Sequence, residues 1–470
     1  MFCPETVHAV RSAWLKSQGV FTALDPDFGQ GEQFEALCKI AQTDGHAPAS
    51  QLRYLGLLEE SASHAPGLHY LSLPEINIEL HLWVGPAKAG LQEFNGQFDA
   101  VLHPDAQRLY SRRIKVQALK PIQPASVAVV GAGIAGSSVA WALCKKGVKV
   151  HLYDSASEPA AGASGNCVGA FHPHITRGDS PLSKLSRLGF QHTVQALKEL
   201  SALGLLAEGE DWATPGHLQT VPHDEAERTQ ETLAMLNFPE TLVRWAQPNE
   251  LLPTPLGGLY FPQGGWVKPA HWVRANLKAC GELLTTHFNS KVTNLQALRE
   301  QHSAVVVCCA EGSIDLAPIE GAKVSSVKGQ ISKLRSVAQP GVVLSGESYA
   351  IAPQGTDWMV LGATYERPVV DLTPSTQADA ENMARFSAAF PGWPLGELID
   401  HRCAVRSVWH DRLPAIGPVP NKPGVYMSTG FASRGLLWAA LGGWQVANYC
   451  TGHAFESKLL GKITPRAARA

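Results

Sequence analysis

Gly131, Gly133 and Gly136 fall within Gly131-Ala-Gly-Ile-Ala-Gly136, a spacing that can wrap backbone around phosphate. The β-branched run Ser126-Val-Ala-Val-Val130 before them reads as a buried strand. Ser137 to Lys146 reads as a helix stopped by Gly147, and Val148 to Tyr153 as a second strand that ends on Asp154. Strand, glycine turn, helix, strand and acid together make a complete βαβ dinucleotide pattern, far more specific than the glycines alone. Gly131 permits the tight turn, Gly133 lets backbone approach a pyrophosphate, and Gly136 lets helix and strand close on each other. Ile134 and Ala135 open the helix, where free N–H groups and partial positive charge favour phosphate. Asp154 is placed to accept hydrogen bonds from an unphosphorylated ribose, which favours FAD or NAD over NADP.

Two further stretches choose between those cofactors. Gly162-Ala-Ser-Gly-Asn166, with Ala163 and Ser164 at its centre, follows the second strand and is itself followed by Gly169 and Pro173. Near the C-terminus stand Arg406, Asp411-Arg-Leu-Pro-Ala-Ile-Gly417 and Gly430-Phe-Ala-Ser-Arg-Gly-Leu436. A nicotinamide enzyme has no reason to return to its cofactor so late in the chain. A flavin enzyme does, because the isoalloxazine must be fixed at its ring edge as well as at its phosphates. The stretch containing Gly430, Ser433, Arg434, Gly435 and Leu436 leads into an apolar helix. The N–H groups at the start of that helix could face the flavin edge where negative charge develops on reduction.

These residues resemble the FAD-dependent amine and amino-acid oxidase superfamily, which includes D-amino-acid, glycine and sarcosine oxidases. Within it they are most similar to the oxidase half of the MnmC family. The stretches that carry this are Gly162-Ala-Ser-Gly-Asn166 with Gly169-Ala-Phe-His-Pro173, Gly264-Gly-Trp-Val-Lys-Pro269, Val327-Lys-Gly-Gln330, Gly362-Ala-Thr-Tyr365 and Ser433-Arg-Gly-Leu436. The resemblance implies an α/β chain, α+β overall: a Rossmann-type FAD-binding domain with a mixed-sheet substrate domain. The FAD-binding part is expected over about 125–200, 265–320 and 400–455, and the substrate part over about 200–265 and 320–400. It also implies that Ser290 to Asn294 is a strand whose Val292 backbone brackets the adenine, and that the apolar strand from Ala304 returns to the cofactor at Ala310.

The activity implied is oxidation of a secondary amine: removal of the carboxymethyl group from 5-carboxymethylaminomethyl-(2-thio)uridine at the tRNA wobble position, as glyoxylate. A carboxylate calls for a guanidinium fork. Arg406 matches the superfamily's carboxylate-binding arginine, with Asp411 as the acid that would claim it if its role were only structural. Arg434 is the second candidate, and Tyr365, His172 and His174 are candidate pocket residues. Two alternatives stay open: an FAD-dependent oxidase or dehydrogenase of small free amino acids (glycine, sarcosine, D-amino acids), and a non-catalytic tRNA-binding flavoprotein.

Residues 1–120 resemble the methyltransferase domain that precedes the oxidase in the MnmC family, in a partial Rossmann-like form. Val20-Phe-Thr-Ala-Leu-Asp-Pro-Asp-Phe-Gly-Gln-Gly31 matches its first strand and glycine loop, and Leu80 to Pro86 and Gly96 to Ala100 match later strands. The ribose-binding acid falls on Leu58, with Glu59 one place late, and Val101-Leu-His-Pro-Asp105 replaces the Asp-Gly-Phe motif. A degenerate domain without S-adenosylmethionine is expected, and residues 121–470 are assigned to the oxidase.

Composition excludes other classes. The chain has 470 residues, 45% hydrophobic and 17% charged, with a net charge of −2. That is enough length and apolar content for a large core, and too little charge for a disordered chain. Any tRNA contact must therefore be local. The run from Ala106 to Pro121 carries Arg108, Arg112, Arg113, Lys115 and Lys120 and no acid, and the tail adds Lys458, Lys462, Arg466 and Arg469. Nine scattered cysteines without a C-x-x-C pair argue against a disulfide framework or a zinc site and for a reducing, cytoplasmic compartment. Glu5, Arg11 and Lys16 interrupt any apolar leader. The uncharged run Ala125–Leu143 is read as a strand turning into a helix rather than a membrane span. Neither a metal nor a membrane is expected.

Overall fold

The computed structural model describes residues 4–17, 20–43, 51–94, 99–102, 122–455 and 457–468. The basic run Arg108 to Lys120 lies outside the described residues, as do Gly96 to Phe98, His103 to Asp105 and Arg469. The chain forms two compact units: residues 1–123 with 448–462, and residues 124–447 with 463–470.

The larger unit is built on a six-stranded sheet ordered Leu284–His287, Lys149–Tyr153, Ser126–Val130, Ala304–Val307, Val425–Thr429, Ala415–Pro418. All neighbouring pairs are parallel except the last. Val127, Val129, Val305 and Val306 are fully buried, which explains why these strands read as unbroken apolar runs. From Ser126–Val130 the chain crosses to one neighbour through the helix Ile134–Lys145, while Ala304–Val307 lies on the other side. The carboxyl end of this central strand is therefore a topological switch point, where open α/β sheets bind ligands. The Ala125–Leu143 run is thus a strand, a glycine turn and part of a helix, as its sequence indicates. No helix among the described residues is long and apolar enough to cross a membrane.

A second, eight-stranded sheet is ordered Arg244–Ala246, Gly258–Phe261, His217–Thr220, Val343–Ser345, Tyr349–Ile351, Trp358–Gly362, Val324–Arg335, Leu398–Trp409. It is mixed, with His217–Thr220 and Val343–Ser345 parallel. Its two long strands, Val324–Arg335 and Leu398–Trp409, run antiparallel with Gly329 opposite Ala404 and Val327 opposite Arg406. The helix Thr376–Ala389 fixes this pair from one face. Its buried Asp379 accepts from Ser332 Oγ at 2.6 Å and Gln330 Nε2 at 2.8 Å and meets His401 Nδ1 at 2.9 Å. Asn382 Nδ2 donates to the Gln330 carbonyl at 3.1 Å. Because side chains alternate along a strand, this clamp on Gln330 and Ser332 leaves Gly329, Ile331, Ala404 and Arg406 to the opposite face.

One expected element is absent. Ser290 to Asn294 is not a strand. The strand here is Leu284–His287, and Asn289 turns the chain with φ +52°. Asn294 then caps the helix Leu295–Gln301 by accepting from Gln296 N at 2.9 Å. The Val-Thr pair suggested extension, but the two asparagines around it decide the backbone. Val292 packs half-buried against the core beside Ala128 and Val130.

The smaller unit holds a five-stranded sheet ordered Gly67–Leu73, Ile78–Val84, Gln51–Leu58, Val20–Asp25, Ala100–Val101, parallel except at the Gly67–Leu73 edge. Phe28, from the glycine loop after the first strand, lies against Gly56 and within 6.3 Å of both the Phe34 and Tyr54 rings. The other sheet face carries Arg53 and His81. It is covered by residues that the sequence had placed in or beyond the oxidase: Phe455 stacks on His81 at 4.4 Å, and Arg53 donates to the His453 carbonyl at 3.0 Å. Of the basic tail, Arg466 in the larger unit is tied to Asp411 Oδ1 at 2.5 Å and to the Pro414 carbonyl at 3.0 Å.

Candidate active site

The glycine turn sits at the switch point. Gly131 has φ +108°, a conformation that excludes other residues, and a β-carbon there would strike the Cys308 carbonyl of the neighbouring strand. A β-carbon on Gly136 would overlap the Gly131 carbonyl, so the helix Ile134–Lys145 can lie this close only with glycine. Asp154 closes the adjacent strand. Its carboxylate accepts from Ala132 N at 2.6 Å and Ala156 N at 2.8 Å and thereby shapes the turn. Each of its oxygens keeps a second lone pair for a ribose hydroxyl.

The Gly162–Asn166 stretch folds onto this turn. Ser164 Oγ accepts from Ile134 N at 2.9 Å, at the first turn of the helix, and lies against Gly133. Asn166 Oδ1 is buried without a hydrogen-bond partner among the described residues. A buried amide oxygen without a donor is costly, and a ligand N–H or O–H would relieve it. Gly169 abuts the Leu436 side chain, which brings the second and third motifs together. Ala310, with φ +50°, and its carbonyl, held by Thr429 Oγ1 at 2.9 Å, close the far side. Gly430, with φ +72°, begins the turn through Ser433 that leads into the helix Gly435–Cys450. Separate pieces of sequence therefore converge on one crevice with glycine-lined backbone, a helix N-terminus, an acid and an orphaned amide. These features fit an extended dinucleotide with its phosphates at the Ile134 end.

Arg406 lies on the face of the eight-stranded sheet left open by the clamp. Its guanidinium rests diagonally on Gly329, where a β-carbon would overlap it. Nη1 donates to the Thr364 carbonyl at 3.1 Å, and the Tyr365 ring covers it with 4.5 Å from Cζ to the centroid. The acid that might have claimed it, Asp411, is paired instead with Arg466. Among the described residues no carboxylate pairs with Arg406 or Arg434. Burial lowers the Arg434 pKa, Tyr365 opposes that shift, and Arg412 reinforces it. Tyr349 joins the group, its phenol pKa raised chiefly by burial and lowered by Arg406. Arginine, tyrosine and a second arginine thus form a cationic site able to bind an anionic group through a fork.

His172 and His174 lie beside this group, both under the charge of Arg434. Burial takes each imidazole down to about 4, so both are neutral near pH 7. His172 meets the Pro173 carbonyl at 2.8 Å and packs on His217 with centroids 4.0 Å apart. His217, also buried, is held well below its ordinary pKa of 6.5. The unfolded chain takes up these protons as pH falls through about 6.5, while the folded one resists until about 4. Their contribution to stability is complete above about pH 6.5 and drains away as pH falls toward 4. The melting temperature, followed from pH 8 to pH 4, is expected to fall in that window, and less steeply in His174→Asn. An equal slope in the variant would contradict this.

Gly329 and Arg402, like Asn166 and Tyr349, were not singled out by the sequence reading as site candidates. Arg402 Nη2 donates to the Ala161 and Gly162 carbonyls at 3.0 and 2.7 Å, fixing the second motif from the eight-stranded sheet. The signal was the period-two series Arg402, Ala404, Arg406 on one strand face. For Gly329 the expected result of Gly329→Ala is a displaced Arg406. Overpacking of this kind costs about 1–3 kcal/mol, so kcat/KM should fall roughly tenfold to a hundredfold with flavin content unchanged. Steady-state kinetics on flavin-normalised protein would check it.

The family model described as FAD dependent oxidoreductase matches residues 126–449. The bifunctional protein MnmC of tRNA 5-methylaminomethyl-2-thiouridine biosynthesis from Thiobacillus denitrificans is 34% identical over 374 residues, covering 73% of this chain and 59% of that protein. Its counterpart from Cupriavidus necator is 30% identical over 392 residues, covering 72% and 59%. The chain therefore spans about three-fifths of the length of these relatives. Among solved structures, glycine oxidase from Geobacillus kaustophilus superposes with a TM-score of 0.65 at 20% identity, covering 73% of this chain and 99% of that one. Iminodiacetate oxidase from Chelativorans gives 0.61 at 21%, covering 73% and 100%. At these identities the superpositions speak for the fold alone, and the fold is the same. Its sheet order, its glycine turn and the family match over residues 126–449 make this chain a member of the FAD-dependent oxidoreductase family, with MnmC proteins among its relatives.

Proposed function

We propose that the chain removes the carboxymethyl group from 5-carboxymethylaminomethyl-(2-thio)uridine at the tRNA wobble position, giving 5-aminomethyl-(2-thio)uridine and glyoxylate. The observation that carries this is Arg406: a guanidinium seated on Gly329, held by the Thr364 carbonyl and claimed by no acid among the described residues, in a chain whose relatives bear the MnmC name.

In this reading Gly131, Gly133, Ile134, Ala135, Gly136, Asp154, Ala163, Ser164 and Gly169 hold the nucleotide part of FAD. Ala310 and Gly430 to Leu436 hold its ring end. When bound, FAD supplies a two-electron acceptor. Arg406 binds the substrate carboxylate, with Arg434 as second cation, and so fixes which carbon is presented for oxidation. Burial and the two arginines disfavour a protonated substrate amine and leave its lone pair free. His172 and His174, already neutral, add no charge that would compete for the carboxylate. Oxidation removes a hydride from the carbon between nitrogen and carboxylate and a proton from nitrogen, leaving an imine. Water adds to it, the C–N bond breaks, glyoxylate leaves with the water oxygen, and the aminomethyl group remains on the base.

The smaller unit is read as a methyltransferase-like remnant that takes no S-adenosylmethionine. Phe28 packed on Gly56 supports this, because it fills the carboxyl end of the second strand, where such a cofactor would lie.

Mass spectrometry of wobble nucleosides from cells lacking the protein tests the function. Accumulation of the carboxymethylaminomethyl form is expected, and an unchanged nucleoside profile would remove the assignment.

A further inference from the structure

We propose that Tyr365 is the platform on which the pyrimidine carrying the reacting side chain stacks. The inference rests on the tRNA reading above and specifies how that substrate is held.

Tyr365 follows the strand Trp358–Gly362 and is 64% exposed. Its ring lies over the Arg406 guanidinium, 4.5 Å from Cζ to centroid. One ring face is therefore committed to a cation, and the exposed area belongs to the rest of the ring. Arg406 is itself anchored by the Thr364 carbonyl and by Gly329, so the ring has a fixed seat. A solvent-facing aromatic held flat against a charged side chain gains little by packing in the free protein, but it offers a flat, desolvatable surface to a ligand.

The reach fits. In the substrate, the carboxylate carbon is separated from the ring carbon by a methylene, a nitrogen and a second methylene. With bonds of about 1.5 Å, an extended arm of four bonds places the ring on the order of 5 Å from the carboxylate. A carboxylate held on the Tyr365 side of Arg406 thus brings its pyrimidine to the exposed rim of the Tyr365 ring, whose far face lies about 8 Å from Cζ, the 4.5 Å to the centroid plus a contact of about 3.5 Å. The flanking chemistry suits a nucleotide as well. Arg406 lies against the Tyr365 ring, and Arg434 is near enough to interact with it electrostatically, so cationic side chains lie beside the platform. A protein partner would call for a broad apolar patch. Here the immediate neighbours in the chain, Thr364, Glu366 and Arg367, are polar, and the next exposed apolar side chains along it are Val370 and Leu372.

The test uses FAD-loaded full-length protein and an anticodon stem-loop carrying 5-carboxymethylaminomethyluridine, with KM and kcat measured separately. Stacking on one aromatic side chain is worth about 1–3 kcal/mol per base, so Tyr365→Leu should raise KM by roughly 5- to 150-fold with kcat largely kept, the mark of a contact made equally in ground and transition states. Tyr365→Phe and Tyr365→Trp should stay near the parent, because a ring and not a hydroxyl is required. A fall in kcat at constant KM, equal damage in Leu and Phe, or no change in Leu would each overturn the platform while leaving the tRNA function standing. Parent protein that does not oxidise the stem-loop at all would overturn both.

Discussion

Arg406→Ala is expected to lower kcat/KM by roughly 10²–10³-fold while the protein keeps its full complement of flavin. Truncating one partner of a buried, hydrogen-bonded charge pair costs about 2–5 kcal/mol, and at half-buried Arg406 the carboxylate of the proposed substrate would be the group left without its partner. The side chain projects from the long strand Leu398–Trp409, on the face opposite the Asp379 clamp, and touches Gly329, Thr364 and Tyr365 rather than the glycine turn. Its removal should therefore leave the nucleotide crevice intact. Arg406→Lys should fall between the parent and Ala, since it keeps the charge but loses the planar fork. Steady-state kinetics with flavin measured by absorbance check this. A variant with parent-like turnover would show that the carboxylate is bound elsewhere.

Gly136→Val is expected to have the complementary effect, yielding protein purified with little or no flavin. The new side chain would collide with the Gly131 carbonyl, and either the turn or the helix Ile134–Lys145 must shift. Both carry the N–H groups offered to the phosphates. Gly136→Ala makes the same collision with a single methyl group and keeps the test usable if the valine variant folds poorly. Overpacking costs about 1–3 kcal/mol, so its affinity for FAD should drop roughly tenfold to a hundredfold, read by titration of the apoprotein. Unchanged affinity would place the phosphates away from this turn. The two experiments separate the crevice from the substrate face: one variant stays yellow and slow, the other turns colourless.

The glycine turn and its βαβ unit were legible in the sequence because most of their determinants are local. Gly136 and Asp154 act through neighbours within one βαβ unit, so their spacing reports the geometry, whereas Gly131 also meets the Cys308 carbonyl of a strand far along the chain. Arg406 and Arg434 were named as candidates by resemblance alone. Gly329 was not recognisable as a site residue, since its role depends on a diagonal neighbour across two strands that lie far apart in the chain. Arg402 was missed for the same reason: its partners are carbonyls of the Gly162 stretch. The Ser290–Asn294 stretch misled because β-branched residues suggest a strand, whereas Asn289 and Asn294 impose a left-handed turn and a helix cap. The placement of residues 448–462 with the N-terminal unit could not be read locally at all, because Phe455 finds its partners, His81 and Arg53, hundreds of residues earlier.

The most direct test of the central claim is anaerobic mixing of the FAD-loaded protein with tRNA that carries the carboxymethylaminomethyl wobble uridine. Bleaching of the oxidised flavin, with glyoxylate released in equimolar amount, is the expected result. Flavin that stays oxidised with this tRNA yet bleaches with free glycine or sarcosine would contradict it.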